Sequence, residues 1–189
     1  MSNPIVIETS RKSLIIRFSR PEIHSPLSVD VLESLDRILD DALISTDIEK
    51  LIFTGTGNSF ASGADLREIV DLTAENAKEF ALRGQRLMDR IANASKPTVA
   101  AVNGYCFGGA LDLALACSER IASSTATFCH PGASLGIITG WSGTQRLPRL
   151  IGQANALEMF FTASPISADR ALLIGLVDSI ADDPLQAAL

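Results

Sequence analysis

Histidine, cysteine and the larger aromatics are scarce in this chain: two His, three Cys, one Trp and one Tyr among 189 residues. Cys106, Cys117 and Cys129 are odd in number, lack Cys-x-x-Cys spacing and sit in apolar surroundings. That pattern excludes a disulfide framework and a thiolate metal site, and suits buried free thiols in a reducing cytosol. Lys and Arg (16) are outnumbered by Asp and Glu (22), for a net charge of −6, and they form no cluster, which excludes a nucleic-acid surface. The N-terminus has neither the charged start nor the apolar core of a signal peptide, and no apolar stretch approaches the roughly 20 residues that cross a bilayer. A soluble cytoplasmic protein with no membrane partner is the expectation. Neither Gly-x-Gly-x-x-Gly nor Gly-Lys-Ser/Thr occurs in its glycine turns, so a dinucleotide or P-loop reading has no support. The run Gly140-Trp141-Ser142-Gly143-Thr144 lacks the final glycine of a Gly-x-Ser-x-Gly hydrolase elbow.

What is present is an ordinary globular composition, 47% hydrophobic, on a chain long enough for one domain over 1–189 with a full core. Ile5 to Glu8 and Leu14 to Phe18 read as a strand pair around polar Thr9 to Ser13. Ser28 is placed to cap a helix in which Val31, Leu35, Ile38 and Ala42 recur at helical spacing. Leu51 to Phe53 is a short apolar strand. A long helix around Glu75 to Ala94 is expected to bury Phe80, Leu87, Met88 and Ile91, followed by a buried strand at Thr98 to Val102. Gly109 to Ala116 reads as a helix, with brief strands at Arg120 to Ser123 and Thr125 to Phe128. Strands alternating with helices imply an α/β architecture.

Two glycine-punctuated turns stand out. Phe60 to Leu66 (FASGADL) and Asn103 to Asp112 (NGYCFGGALD) each follow a strand-like run and lead into a helix-like one. The first N–H groups of a helix have no intrahelical partner and lie at the positive end of its dipole, so a glycine loop there offers donors to negative charge. Gly63 and Ala64 in one turn, and Gly108 and Gly109 in the other, carry little side chain to block an approaching ligand. Either turn alone is also compatible with a simple capped turn.

These segments, read as FASGADL and AAVNGYCFGGALDLALACS, resemble the two signature segments of the enoyl-CoA hydratase/isomerase family, the crotonase superfamily. Arg20-Pro21 with Pro26-Leu27, Thr139 to Gly152 (TGWSGTQRLPRLIG) and Ile166 to Asp178 (ISADRALLIGLVD) resemble that family's early Arg-Pro loop, its later loop and helix, and its next helix and strand, in the same order. The resemblance covers nearly the whole chain. It implies a spiral of repeated strand-strand-helix units. It also implies a C-terminal helical part that is shortened or missing, because family chains continue past the position of Leu189 into helices that pack at a trimer interface. A homotrimer or hexamer is therefore an open expectation.

The resemblance further implies an enzyme acting on acyl-CoA, with the coenzyme A thioester as substrate and no separate cofactor or metal. Two main-chain donors, on Ala64 and Gly109, would hold the thioester oxygen as charge develops on it during hydration or isomerisation. Family hydratases carry two glutamates that hold the attacking water. Asp112 stands at the first position and Gly132 at the second. Asp is one methylene shorter, reaching about 1 Å less, an error that can cost roughly 10²-fold. Asp112 is then either a lone base suited to proton transfer or a hydrogen-bonded acid in the first turn of its helix. A member that binds acyl-CoA but has lost catalysis is the competing reading, since Gly132 supplies no carboxylate. The remaining implied site residues are Ser62, whose backbone would receive the adenine amino group, Leu27 beside the pantetheine arm, and Gly63, Asp65 and Gly108 in the loops. Trp141, the sole tryptophan, is read as a wall of the acyl pocket. Ser25 stands where the family usually has Asn, Arg20 and Arg67 are possible phosphate partners, His24 reads as a surface residue, and His130, in Phe128 to Gly132, reads as structural.

Overall fold

Strands of two sheets alternate along the chain in the computed structural model, which describes residues 3–189. The elements run β1 (Ile5–Ser10), β2 (Ser13–Phe18), a 3-10 turn (Pro21–Ile23), α1 (Val29–Ile44), β3 (Lys50–Thr54), β4 (Ser59–Ala61), α2 (Leu66–Val70), α3 (Ala77–Ala92), β5 (Thr98–Val102) and β6 (Tyr105–Phe107). They continue as α4 (Gly109–Ala116), β7 (Glu119–Ala122), β8 (Thr127–Cys129), α5 (Gly132–Leu135), α6 (Gly143–Ile151), α7 (Gln153–Thr162), β9 (Ile166–Ser167), α8 (Ala168–Leu173), β10 (Ser179–Ile180) and α9 (Pro184–Ala188).

The larger sheet has the order β1-β2-β3-β5-β7-β10 and the smaller one β4-β6-β8-β9. Each successive pair, β3 with β4, β5 with β6 and β7 with β8, puts one strand into each sheet before a helix returns the chain. Like strands of successive pairs lie side by side in parallel. This is the strand-strand-helix spiral. Its corners are stapled by Asn103, whose side chain accepts from the Gly55 N–H at 2.8 Å and donates to the Gly57 and Ser59 carbonyls at 2.9 and 3.2 Å. One side chain thus ties a turn of the spiral to the next.

The main core lies between the sheets and helices α1, α3, α4 and α6, with Phe18, Phe53, Phe60, Leu35, Leu39 and Met88 fully buried. Helix α4 is buried on every side, which explains its uniformly apolar sequence apart from Asp112. The opposite face of the large sheet presents Ile52, Val99, Ala101 and Ile121, which Ala188 of α9 helps to cover. Lys50 donates to the Ala188 carbonyl at 2.7 Å and closes that contact.

Some local expectations change. Ser28 does occupy the position before α1 in extended backbone, but its side chain makes no capping bond. The Val29 N–H instead donates to both carboxylate oxygens of Glu68, at 3.1 and 3.0 Å, so α2 caps α1. Phe80 is only partly buried. It packs against the core on one side and borders the cavity described below on the other. The strand expected over 125–128 runs instead over Thr127–Cys129. Among the described residues no helix is long and apolar enough to cross a membrane.

Candidate active site

Gly63 and Gly108 adopt φ of +88° and +54°, backbone that residues with a Cβ seldom enter. Their loops are in main-chain contact. A Cβ on Gly63 would lie 2.6 Å from the Gly109 nitrogen and 2.7 Å from the Phe107 carbonyl oxygen, so only glycine permits the approach. The Leu27 N–H donates to the Gly63 carbonyl at 2.7 Å, and Leu27 forms a parallel bridge with Ala64. On the other side, the Gly108 N–H donates to the Cys129 carbonyl at 2.8 Å. Each loop is therefore pinned from behind. Among the described residues the amides of Ala64 and Gly109 donate to no main-chain carbonyl outside a regular element, as expected for the first residues at or before a helix start.

The loops border a cavity of about 540 Å³, a volume typical of small-molecule sites. Ser62, Ala64, Gly108, Gly109, Asp112, Gly132 and Trp141 all line it. Three other expected site residues lie behind it. The Leu27 side chain is fully buried in the core and contributes through its backbone. Gly63 sits in the contact between the loops. Asp65 caps α2 through the Arg67 N–H at 3.0 Å and pairs with the Arg67 guanidinium at 2.9 and 2.6 Å. Arg67 holds the Asp65 carboxyl below the usual carboxylate range. That arrangement occupies the guanidinium otherwise offered to a phosphate.

Trp141 is both wall and wedge. Its ring lies against Gly109 in α4 and Gly84 in α3, where a Cβ on either glycine would overlap the indole. A glycine inside a helix costs about 1 kcal/mol relative to alanine; at Gly84 that loss makes room for the only tryptophan. Phe80 packs against the same ring with centroids 6.0 Å apart. Nothing in the spacing of α3 marked Gly84 as part of this wall. The partner that needs the space comes 57 residues later.

Asp112 is buried in the first turn of α4. Thr139 donates its hydroxyl to Oδ2. Oδ1 is buried with no hydrogen-bond partner and lies against Gly143, where a side chain would overlap it. Burial pushes the carboxyl up to about 7, against the opposing pull of the Thr139 hydroxyl, the Trp141 N–H and the Arg146 charge. His130, at the end of β8, is the second group in the cavity. It is 3% exposed, neither ring nitrogen has a hydrogen-bond partner, and its Nε2 is 3.7 Å from Asp112 Oδ1. Burial lowers it to about 4. The structural role expected of His130 has no hydrogen bond to support it. The ring of Phe160 packs against it, with centroids 5.1 Å apart.

Gly132 opens α5, and its carbonyl accepts from the Ile137 N–H at 3.0 Å in a tight return. A Cβ there would overlap the Ile137 carbonyl oxygen. The turn is shaped around glycine and has no room for a longer residue. His24 lies outside the cavity, edge-on to Tyr105 at 5.6 Å.

Two parallel-stacked layers of short strands, with two glycine loops meeting over a buried carboxyl, define a spiral α/β protein of the crotonase class. The family model for enoyl-CoA hydratase/isomerase matches residues 8–187, and the chain belongs to this family of enzymes. It is 36% identical over 181 residues to the short-chain-enoyl-CoA hydratase of Clostridium acetobutylicum, covering 95% of this chain and 69% of that protein. It is 40% identical to the crotonyl-CoA hydratase of Syntrophomonas wolfei, covering 93% of this chain and 68% of the relative. The crystal structure of an enoyl-CoA hydratase from Bacillus anthracis superposes with a TM-score of 0.93 at 33% identity, over 98% of this chain and 74% of that one. The chain thus spans about two thirds to three quarters of these relatives.

Proposed function

We propose that this protein binds short acyl-CoA thioesters and catalyses proton chemistry next to the thioester carbonyl, with hydration of an enoyl-CoA as the first candidate reaction. Negative charge develops on the thioester oxygen when water adds at the β-carbon or a proton leaves the α-carbon. In this reading the Ala64 and Gly109 N–H groups receive that oxygen, and donors so fixed contribute about 10²–10³ in rate each. The observation that carries the reading is the main-chain contact between the Gly63 and Gly109 loops at the edge of the cavity that also holds Asp112. The relatives' names, an enoyl-CoA hydratase and a crotonyl-CoA hydratase, support the same substrate class.

In this scheme Ser62 borders the coenzyme A end of the cavity, Leu27 steadies the Ala64 loop from behind, and Trp141 walls the acyl chain. Asp112 is the proton-transfer group next to the reacting carbons. Isothermal titration with butyryl-CoA, together with product identification from a panel of enoyl-CoA isomers, tests the proposal. Saturable binding with turnover of crotonyl-CoA or an isomer is the expected result; absence of binding refutes it. A second reading, binding without catalysis, is favoured by Gly132, which leaves the second carboxylate of family hydratases without a counterpart. Binding of butyryl-CoA with no turnover across the panel would select it.

A further inference from the structure

A buried imidazole with both nitrogens unpartnered is unusual, because buried polar groups nearly always find hydrogen bonds. Here an unpartnered carboxylate oxygen, Asp112 Oδ1, lies 3.7 Å away in the same cavity. That gap is too long for a hydrogen bond between them. Both atoms are therefore left with bonding capacity directed at whatever enters the cavity. Two residues past His130, where family hydratases place their second glutamate, the tight turn at Gly132 excludes a side chain.

We propose that His130 is the second proton-transfer group of this site and performs, with Asp112, the work that family hydratases divide between two glutamates. The inference rests on the acyl-CoA reading above. Neutral His130 accepts a proton at Nε2 from the attacking water, whose oxygen bonds to the β-carbon. The electron pair of the double bond moves through the α-carbon onto the thioester oxygen. As that enolate collapses, the protonated carboxyl of Asp112 gives its proton to the α-carbon. This leaves imidazolium and carboxylate side by side, and the proton returns from Nε2 to Oδ1. Enoyl thioester and water are consumed, 3-hydroxyacyl thioester is formed, and no net proton is gained or lost. The resting state matches the environment, since burial favours the neutral form of both groups.

The groups facing this pair are few. Thr139 and Arg146 act on Asp112 from the loop before α6 and from α6 itself, and the buried thiol of Cys106 lies near it in β6. Against His130, α7 presents the ring of Phe160, while Glu158 of that helix pairs with Arg170 at 3.4 Å.

The test measures crotonyl-CoA hydration and butyryl-CoA binding by the protein across pH. The parent should show a bell-shaped kcat profile, falling on the acid side as His130 protonates and on the basic side as Asp112 ionises. His130→Gln should bind butyryl-CoA normally, lose about 10²–10⁴ in kcat and lose the acid limb. His130→Ala should regain activity when free imidazole is added. Unchanged kcat in His130→Gln would overturn the inference, and so would a parent profile without an acid limb, which decides the matter even if neither variant folds. A parent that binds butyryl-CoA but never hydrates crotonyl-CoA overturns it while leaving the acyl-CoA reading intact; failure to bind at all removes both.

Discussion

The two walls of the cavity are built by different means. On one side the Gly63 and Gly108 loops are held by main-chain geometry: positive φ, a close approach that admits no Cβ, and backbone bonds from Leu27 and to Cys129. On the other side, between His130 and Gly143, position depends on side chains: Thr139 on Asp112, Trp141 wedged between two glycines, and His130 left without a bond. A wall made of backbone fixes where charge can be stabilised and tolerates little change. A wall made of side chains decides which proton transfers accompany it, and can be rebuilt by substitution. Under the proposed function, that division lets the two glycine loops keep their geometry while the chemistry of the side-chain wall changes.

The largest expected effect belongs to the group both walls share. Asp112→Asn should keep acyl-CoA binding and lower enoyl-CoA turnover by about 10²–10⁴, read from kcat against the dissociation constant. Gly63→Ala attacks the backbone wall alone. The added methyl meets the Gly109 nitrogen and Phe107 carbonyl, so kcat should fall by about 10²–10³, and thermal unfolding should reveal a loss of about 1–3 kcal/mol from strain. Equal activity in Gly63→Ala would mean that the loop contact does not matter.

Gly132→Glu probes the side-chain wall. Restoring the family's carboxylate by sequence analogy would be expected to raise hydration, but the new Cβ would overlap the Ile137 carbonyl oxygen. We expect no gain in hydration and a stability loss of about 1–3 kcal/mol from overpacking. A faster enzyme would show that the 132–138 turn yields easily.

The smallest effects are in stability against pH. The folded Asp112 carboxyl is raised from 3.8 to about 7, so its contribution is complete below pH 3.8 and is lost as pH rises towards 7. His130 is lowered from 6.5 to about 4, so its contribution is complete above pH 6.5 and is lost as pH falls towards 4. Melting curves of Asp112→Asn should therefore improve relative to the parent on going from pH 4 to pH 8. Those of His130→Gln should improve relative to the parent on going from pH 7 to pH 4. Parallel pH profiles for parent and variants would contradict the buried environments assigned to the pair.

Much of the backbone wall was legible from residues alone. Gly63-Ala64 and Gly108-Gly109 lie between a strand signal and a helix signal, and α1, α3, α4 and β5 follow apolar patterns long enough to register. The smaller sheet was not. Strands β4, β6 and β8 have three residues each, too few to display a period of two, and the spiral came from family resemblance. The side-chain wall was hardest to read. Asp112 and His130 are 18 residues apart and meet because β6 pairs with β8 and the Gly108 N–H holds the Cys129 carbonyl, while the glycine at 84 makes sense only with the Trp141 ring in place. Such long-range fits leave no local mark.

A crystal structure of the protein with butyryl-CoA puts the central claim to its most direct test. The thioester oxygen should lie about 2.7–3.1 Å from both the Ala64 and Gly109 nitrogens, with the α-carbon facing Asp112. An oxygen that contacts neither amide, or a thioester bound outside the cavity, would contradict it.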